Sequence, residues 1–455
     1  MKTTLSQLNR WLKGSTMTAD APFDGVSTDT RHIAPGNLFV ALKGENFDAH
    51  DFLPELDGRK VAAVVAERLP EKCPLPALVV PDTRHALGEI GKNWRMRFTL
   101  PVIGVTGSNG KTTVKEMIAS VFTSAFGETG YLATRGNFNN DIGVPLTLFR
   151  LEPVHRAAVI ELGMNHAGEM GVLSALACPT IGLVNNAQRE HQEFMQSVKA
   201  VAEENGTVIR SLPENGVAVF PADDTYTALW RSYAGQRQTV SFGFTEKADV
   251  TASCRFSTSG TEVDMAYRGR VYRMVLSTSG RHNVRNAMAA AACCHAAGID
   301  WNDIVKGLEA FRPVRGRLEK KIAFNGALLI DDTYNANPDS VRAAIDVLAD
   351  VKTGGVLVLG DMGEVGRDGE RFHAEVGEYA RERQIPCLFT FGEMARFASR
   401  AYGEKARHFT SFDEMNAVLR QVVGPDMAVL VKGSRFMKME RVVEQLMNGI
   451  NGEGR

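Results

Sequence analysis

Apolar and polar positions along this chain fall into three successive patterns of alternation. In residues 1–98, short apolar runs at Leu38–Leu42, Val61–Val65 and Leu78–Val80 stand between polar turns and predict strands, with one helix near 84–96. From Pro101 onward, strand-like runs at 102–106, 157–162, 180–184 and 217–220 alternate with stretches of helical period. Alternation of this kind implies a mostly parallel sheet with helices on both faces. Residues 248–278 alternate polar and apolar positions in the manner of antiparallel strands. After Pro313 a third α/β alternation begins, with runs at Ala327–Ile330, Val356–Leu359, Cys387–Thr390 and Met427–Val431. A length of 455 residues suits three domains of about 100–200 residues each. The expected architecture is therefore three α/β domains: residues 1–98, a central domain 99–313 with a mostly parallel sheet, and a Rossmann-like C-terminal domain 314–455.

Ligands on such sheets sit at the carboxyl ends of the strands, so the residues after each run carry the chemistry. The first central strand runs into Val102-Ile-Gly-Val-Thr-Gly-Ser-Asn-Gly-Lys-Thr-Thr113. Gly107 and Gly110 let the backbone approach an anion closely with its N–H groups turned inward. A helix beginning near Lys111 adds its positive end. Lys111 can reach the β- and γ-phosphates of ATP, and the Thr112 hydroxyl can ligate Mg²⁺. Val114, Met117, Ile118, Val121 and Phe122 recur at helical spacing, which supplies the strand–loop–helix context. Val105 stands where the common phosphate-loop pattern carries its first glycine, and on the pattern alone an anion-binding loop of another kind stays open.

Other strand ends repeat the theme. Glu161-Leu-Gly-Met-Asn-His-Ala-Gly-Glu169 places a carboxylate beside the phosphate loop, where a hard cation wants oxygen ligands; a helix cap or surface carboxylate is the alternative. Asn185-Asn-Ala-Gln-Arg-Glu-His191 ends in an imidazole that serves a metal, serves a phosphate, or is simply solvated. In the third unit, Arg315-Gly-Arg317 precedes Ile330-Asp-Asp-Thr-Tyr-Asn-Ala-Asn-Pro338, whose polar groups suit ribose, base or a polar substrate, or else plain turn chemistry. Gly360-Asp-Met-Gly-Glu364 and Val431-Lys-Gly-Ser-Arg435 follow the next strands, the latter a donor-rich turn suited to carboxylate or phosphate. Gly280-Arg-His-Asn283, with Asn286, opens a helix where an amide caps or binds a base.

Composition narrows the classes. A net charge of −1 with scattered basic residues argues against a nucleic-acid partner. Six dispersed cysteines, without a CxxC pair, make neither a disulfide framework nor a zinc site. The beginning of the chain lacks the apolar core of a signal peptide, and the most apolar helical stretch, Ala287–Ile299, is short and interrupted by His295. The expectation is a cytoplasmic protein that does not insert into a membrane.

Taken together, these motifs resemble the Mur ligases, the ATP-dependent amide-forming enzymes of peptidoglycan assembly. Thr106-Gly-Ser-Asn-Gly-Lys-Thr-Thr113 is similar to that family's own phosphate loop, Val105 included. Gly136-Asn-Phe-Asn-Asn-Asp-Ile-Gly-Val-Pro145, Glu161–Glu169 and Tyr334-Asn-Ala-Asn-Pro338 resemble the branch that adds D-alanyl-D-alanine. The Asp-Asn-Pro-Arg signature of the diaminopimelate- or lysine-adding branch does not occur. The likeness runs from Ser27-Thr-Asp-Thr-Arg31 and Phe39–Asp51 to Val431–Arg435.

The resemblance implies ligation of D-Ala-D-Ala to UDP-N-acetylmuramoyl-tripeptide through an acyl phosphate and a tetrahedral intermediate, with ADP and phosphate released. It implies catalytic roles for Lys111, Glu161, His191 and Arg317, and ATP contacts from Gly107, Ser108, Asn109, Gly110, Lys111, Thr112, Thr113, Asn283, Asn286, Arg317 and Asp332. Thr28, Asp29, Thr30, Arg31, Lys43 and Gly44 would form the UDP-sugar site in residues 1–98, while Asn139, Asn140, Asn335, Asn337, Ser434 and Arg435 would meet the remaining substrate. Thr112, Glu161 and His191 would hold Mg²⁺. A monomer that closes its third domain over the second, hinged near Pro313–Gly316, completes the picture. One departure stands out: Asn205 occupies the place where most of the family carries a lysine that becomes carbamylated. Glu204 or Glu203 is the expected substitute carboxylate. Three competing readings are a folylpolyglutamate synthetase-like ligase, a phosphate-loop switch ATPase, and a precursor-binding protein without ligase activity.

Overall fold

The computed structural model describes residues 1–56, 60–190, 192–257, 260–351 and 354–448. Among them the strands build a two-stranded antiparallel ladder, Lys2–Thr4 with Pro22–Asp24, and three larger α/β sheets in chain order. The first has the order Thr16–Met17, Ala77–Val79, Ala63–Ala66, Leu38–Val40, Val26–Ser27, parallel except at its first pair. The helix expected near 84–96 is Thr83–Arg95. It starts where the Asp82 side chain accepts from the His85 N–H, satisfying one of the donors a helix leaves orphaned, and it buries Ala86, Leu87, Ile90 and Trp94.

The central sheet has nine strands. Its order is Arg270–Leu276, Gly260–Tyr267, Val250–Ser257, Gln238–Phe242, Val217–Pro221, Ile181–Val184, Val102–Thr106, Ala157–Glu161 and Tyr131–Ala133. The first three strands are joined by antiparallel ladders, as the alternation over 248–278 predicts, and the other pairings are parallel. Val102–Thr106 is wholly buried because helices cover both faces, and a strand in that position has no use for a polar side. Helix Lys111–Phe126 packs on one face with Arg281–Ala296 and Trp301–Ala310, burying Val114, Met117, Ile118, Val121 and Phe122. Glu169–Ala177 and Val198–Arg210 cover the other face over a second core containing Ile160, Leu173 and Val208. Each large aliphatic side chain removed from water there contributes about 1.5–3 kcal/mol.

The third sheet runs Glu319–Ile322, Leu328–Asp332, Ala428–Lys432, Gly355–Gly360, Cys387–Phe391, Ala406–Phe409, parallel apart from the first pair. Strand register decides what meets at the carboxyl ends. Glu161 lies opposite Val105 and Val184 opposite Thr106, so the phosphate loop leaves the sheet between the ends of two neighbours. Asp332 lies opposite Lys432 in the third sheet. No helix of the described residues is long and apolar enough to cross a membrane.

Candidate active site

A cleft of about 980 Å³ opens where the carboxyl ends of the central and third sheets face each other. Its floor is the phosphate loop. Gly107 and Gly110 adopt φ values of 134° and 82°, which side chains rarely tolerate. A Cβ on Gly110 would lie 2.5 Å from Asn286 Oδ1 and 2.7 Å from Asn185 Nδ2, so only glycine fits. The loop is held from below by the strand-end residues 185–188. Asn186 Oδ1 accepts from the Asn109 N–H at 2.9 Å, and the side-chain amides of Asn185 and Asn186 donate to the Asn109 carbonyl at 2.8 and 2.9 Å. Gln188 Oε1 accepts from Asn109 Nδ2 at 2.7 Å, and the Gln188 N–H donates to Ser108 Oγ at 2.8 Å. Lys111 folds over this loop, its Nζ 2.5 Å from the Gly107 carbonyl and 3.2 Å from Glu190 Oε2.

Glu161 is 2% exposed. One carboxylate oxygen, Oε1, accepts from Asn139 Nδ2 at 2.9 Å and from the Thr112 hydroxyl at 3.2 Å. The other, Oε2, is buried with no hydrogen-bond partner among the described residues. A buried carboxylate oxygen left without a donor is costly, and the cost disappears if a cation shares it. Thr112 and Glu161 therefore fit a Mg²⁺ ion. Among the described residues no cluster of three or more His, Cys, Asp or Glu forms a ready-made metal cage. That agrees with the habit of Mg²⁺, which takes one or two carboxylates and completes its shell with phosphate and water. His191, expected as a further ligand, lies outside the described residues.

The third domain contributes its share across the cleft. Arg317 donates from Nη2 to the Thr112 hydroxyl at 3.0 Å, lies over the Tyr334 ring at 4.0 Å, and keeps its Nε buried without a partner among the described residues. Asp332 pairs with Lys432 at 2.6 Å, and Lys432 also donates to the Asn335 carbonyl at 2.8 Å. His282 faces this pair from the central domain; desolvation by burial lowers its pKa to about 4. Asn283 and Asn286 are buried and linked in a chain that reaches the phosphate loop: Asn286 donates to Asn283, and Asn185 donates to Asn286. At the end of Val217–Pro221, Asp223 and Asp224 also line the cleft. Burial works to raise Asp223, but the fork it shares with Arg285 outweighs it and the group sits low; burial raises Asp224.

The structure gathers Gly107, Ser108, Asn109, Gly110, Lys111, Thr112, Thr113, Asn139, Asn140, Glu161, Asn283, Asn286, Arg317, Asp332, Asn335 and Asn337 in or beside the cleft. Several of these have their polar atoms engaged. Asn140 Oδ1 accepts from the Gly143 N–H, and Asn335 Oδ1 accepts from the Ala336 N–H. Asn337, expected to face the incoming substrate, caps helix Pro338–Ala349 in a capping box with Ser340, while its Nδ2 donates to Asn109 Oδ1 at 2.9 Å. Ser434 and Arg435 do not line the cleft. Ser434 is 2% exposed and bridges the Gly363 N–H and the Ala336 carbonyl; Arg435 points to solvent and pairs with Glu440.

The expected substitute carboxylates on Val198–Arg210 are also placed elsewhere. Glu204 Oε1 accepts from the Met170 N–H at 2.8 Å, at the start of the neighbouring helix, and Glu203 pairs with Lys199 on the exposed face. Asn205 is fully buried, its Oδ1 taking the Thr106 hydroxyl at 2.6 Å and its Nδ2 without a partner among the described residues. The geometry thus turns both glutamates away from the phosphate loop.

Thr28, Asp29, Thr30, Arg31, Lys43 and Gly44 lie apart from this cleft, at the strand ends of the first sheet. Arg31 forks onto Asp29 at 2.8 and 2.9 Å, and that hydrogen bonding lowers Asp29 to about 2. Phe47 is 63% exposed beside Gly44. Two residues escaped the sequence reading, Arg189 and Glu190. Both stand in the polar run after Ile181–Val184, and that run was their only signal.

The model of the Mur ligase middle domain matches residues 105–294, and that of the Mur ligase, glutamate ligase domain matches residues 316–435. The chain is 41% identical over 447 residues to the UDP-N-acetylmuramoyl-tripeptide–D-alanyl-D-alanine ligase of Escherichia coli (strain K12), covering 97% of this chain and 98% of that one. A crystal structure of MurF from Acinetobacter baumannii superposes with a TM-score of 0.91 at 34% identity, covering 98% of this chain and 99% of that chain. MurF from Thermotoga maritima in complex with ADP superposes at 0.84 with 25% identity, covering 93% and 97%.

Proposed function

The chain belongs to the Mur ligase family, and on that footing we propose that it joins D-alanyl-D-alanine to UDP-N-acetylmuramoyl-tripeptide at the expense of ATP. The observation that carries this reading is the meeting of two domains on one hydroxyl. Thr112 of the phosphate loop is touched by Glu161 from its own domain and by Arg317 from the third. A precursor-binding protein has no use for a third domain aimed at its phosphates, and the match of that domain to the Mur ligase, glutamate ligase domain sets the chain apart from a switch ATPase. A folate ligase finds no use for the polar turn Tyr334-Asn-Ala-Asn-Pro338.

The chemistry asked of the site is activation of a carboxylate followed by attack of an amine. The γ-phosphoryl group passes from ATP to the tripeptide carboxylate, giving an acyl phosphate. The dipeptide amine then adds to the acyl carbon, and phosphate leaves as the tetrahedral intermediate collapses. In the first step charge spreads over the transferring oxygens, and positively charged groups fixed in advance are what lowers the barrier. In this reading Lys111, from the phosphate loop, and Arg317, from the third domain, take that task. Thr112 and Glu161 would hold Mg²⁺, which when bound neutralises phosphate charge. Asn283, Asn286 and Asp332 are assigned to the nucleoside, and Thr28–Arg31 with Lys43 and Gly44 to the UDP moiety. In this assignment residues 1–98 bind the nucleotide sugar, 99–313 bind ATP, and 314–455 present the dipeptide.

The test is phosphate release by purified protein with ATP, Mg²⁺ and UDP-N-acetylmuramoyl-tripeptide, with and without D-Ala-D-Ala. Release that requires both substrates, with the ligated product seen by mass spectrometry, is the expected result. Release indifferent to the dipeptide would overturn the assignment.

A further inference from the structure

The polar run after Ile181–Val184 does two jobs with adjacent side chains. Glu190 reaches down to Lys111 at 3.2 Å. Arg189 reaches the other way, out of the central domain and onto two helices of the third. Its Nη2 donates to Asp339 Oδ1 at 2.6 Å, its Nε sits 3.2 Å from both Asp339 oxygens, and its backbone N–H donates to Asp339 Oδ2 at 2.9 Å. The same guanidinium donates to both oxygens of Glu375, at 2.6 and 3.0 Å, while Arg342 takes Glu375 from behind at 3.0 Å. The Arg189 side chain is 22% exposed, Asp339 22% and Glu375 31%.

An isolated exposed ion pair contributes little. This one is half-buried, doubly bidentate and part of a four-charge network, the circumstances in which such pairs are strong and directional. Its place matters as much as its strength. Asp339 lies in the first turn of Pro338–Ala349, the helix whose cap Asn337 is bonded to Asn109 of the phosphate loop. One helix start therefore carries two handles on the ATP site, Asn337 on the loop and Asp339 on Arg189.

We infer that Arg189 is a positioning residue that fixes the third domain against the phosphate loop, so that Arg317 reaches Thr112 while the Arg189 fork is made. The inference rests on the ligase reading for its activity arm but not for its structural one. Without Arg189, Asp339 loses its ion-pair partner and Glu375 keeps only Arg342, so the contact between the two domains is left with excess half-buried negative charge and is penalised. Misplacement of a catalytic group by about 1 Å is enough to cost about 10²-fold in rate.

The test uses the full-length protein and Arg189→Met, which keeps the stem and removes the charge. Small-angle scattering of the substrate-free variant should show a larger radius of gyration than wild type, and kcat for dipeptide-dependent phosphate release should fall by about 10²-fold. Arg189→Lys should recover part of the loss. Adding Asp339→Asn and Glu375→Gln to Arg189→Met should also recover part of it, because the excess negative charge goes with the carboxylates; a merely destabilised fold would get worse. Wild-type scattering and turnover in Arg189→Met would overturn the inference, as would further loss on neutralising the two carboxylates. If wild type itself makes no ligated product, the ligase reading falls and the scattering comparison alone decides the role of Arg189.

Discussion

Gly110 and Gly168 offer a controlled comparison. Both precede a helix, both have left-handed backbone, φ 82° with ψ −2° and φ 92° with ψ −18°, and neither makes a side-chain cap. Alanine at either site bears the same left-handed penalty, about 1–2 kcal/mol. They differ in space. Around Gly168 an added Cβ meets nothing within 4 Å, whereas at Gly110 it lies 2.5 Å from Asn286 Oδ1 and 2.7 Å from Asn185 Nδ2. Relieving that overlap means moving Asn185, which donates to Asn286 at 3.0 Å and to the Asn109 carbonyl at 2.8 Å. Two hydrogen bonds at about 0.5–1.5 kcal/mol each put the additional cost near 1–3 kcal/mol. Gly110→Ala should therefore unfold several degrees below Gly168→Ala, at about 2–4 °C per kcal/mol for a domain of this size. Titration calorimetry with Mg·ADP should show at least about tenfold weaker binding for Gly110→Ala alone, since the displaced atoms form the phosphate cradle. Equal melting points and equal ADP affinities in the two variants would refute the claim that packing, rather than backbone strain, makes this glycine obligatory.

Glu161→Gln should shrink the difference between ADP affinity measured with Mg²⁺ and with a chelator, and an undiminished difference would remove Glu161 from the cation site. Lys432→Met leaves Asp332 buried without its partner, so about 3–5 kcal/mol of stability should be lost in urea unfolding, with partial recovery on adding Asp332→Asn. A loss within the scatter of ordinary surface substitutions would show the pair to be dispensable. His282, held at about 4 against an ordinary 6.5, binds a proton more readily in the unfolded chain than in the folded one. Its contribution is complete above 6.5 and is lost as pH falls from there toward 4, so His282→Gln should flatten the thermal stability profile in that window. Parallel profiles for variant and wild type would refute it.

How far the fold can be read from the sequence depends on burial. Val102–Thr106, Ala157–Glu161, Ile181–Val184 and Val217–Pro221 are covered on both faces, and each shows as an unbroken apolar run within a residue of its observed bounds. Three strands with no such signature fail for visible reasons. Tyr131–Ala133 is three residues long at the sheet edge. Glu319–Ile322 is an antiparallel edge strand reading Glu-Lys-Lys-Ile, whose charges guard an open edge rather than fill a core. Ala406–Phe409 is another edge, with Arg407 and His408 exposed.

The site divides on a different line. A polar residue at a strand end has two uses, to meet a ligand or to satisfy the backbone of the turn it sits in, and its letter in the sequence is the same in both. Glu161 and Arg317 each line the cleft with a buried polar atom that has no partner among the described residues, which is what supports a ligand role for them. Glu204, Asn337 and Ser434 look equivalent in sequence but have given theirs to Met170, to Ser340 and Asn109, and to Gly363 and Ala336. Arg189 is the reverse case. Its partners Asp339 and Glu375 stand 150 and 186 residues away, so no local pattern could announce them. What spacing reveals is chemistry confined to one strand and the loop after it. Chemistry divided between domains becomes legible only when the sheets are set face to face, and in this protein that includes the contact which brings Arg317 to Thr112.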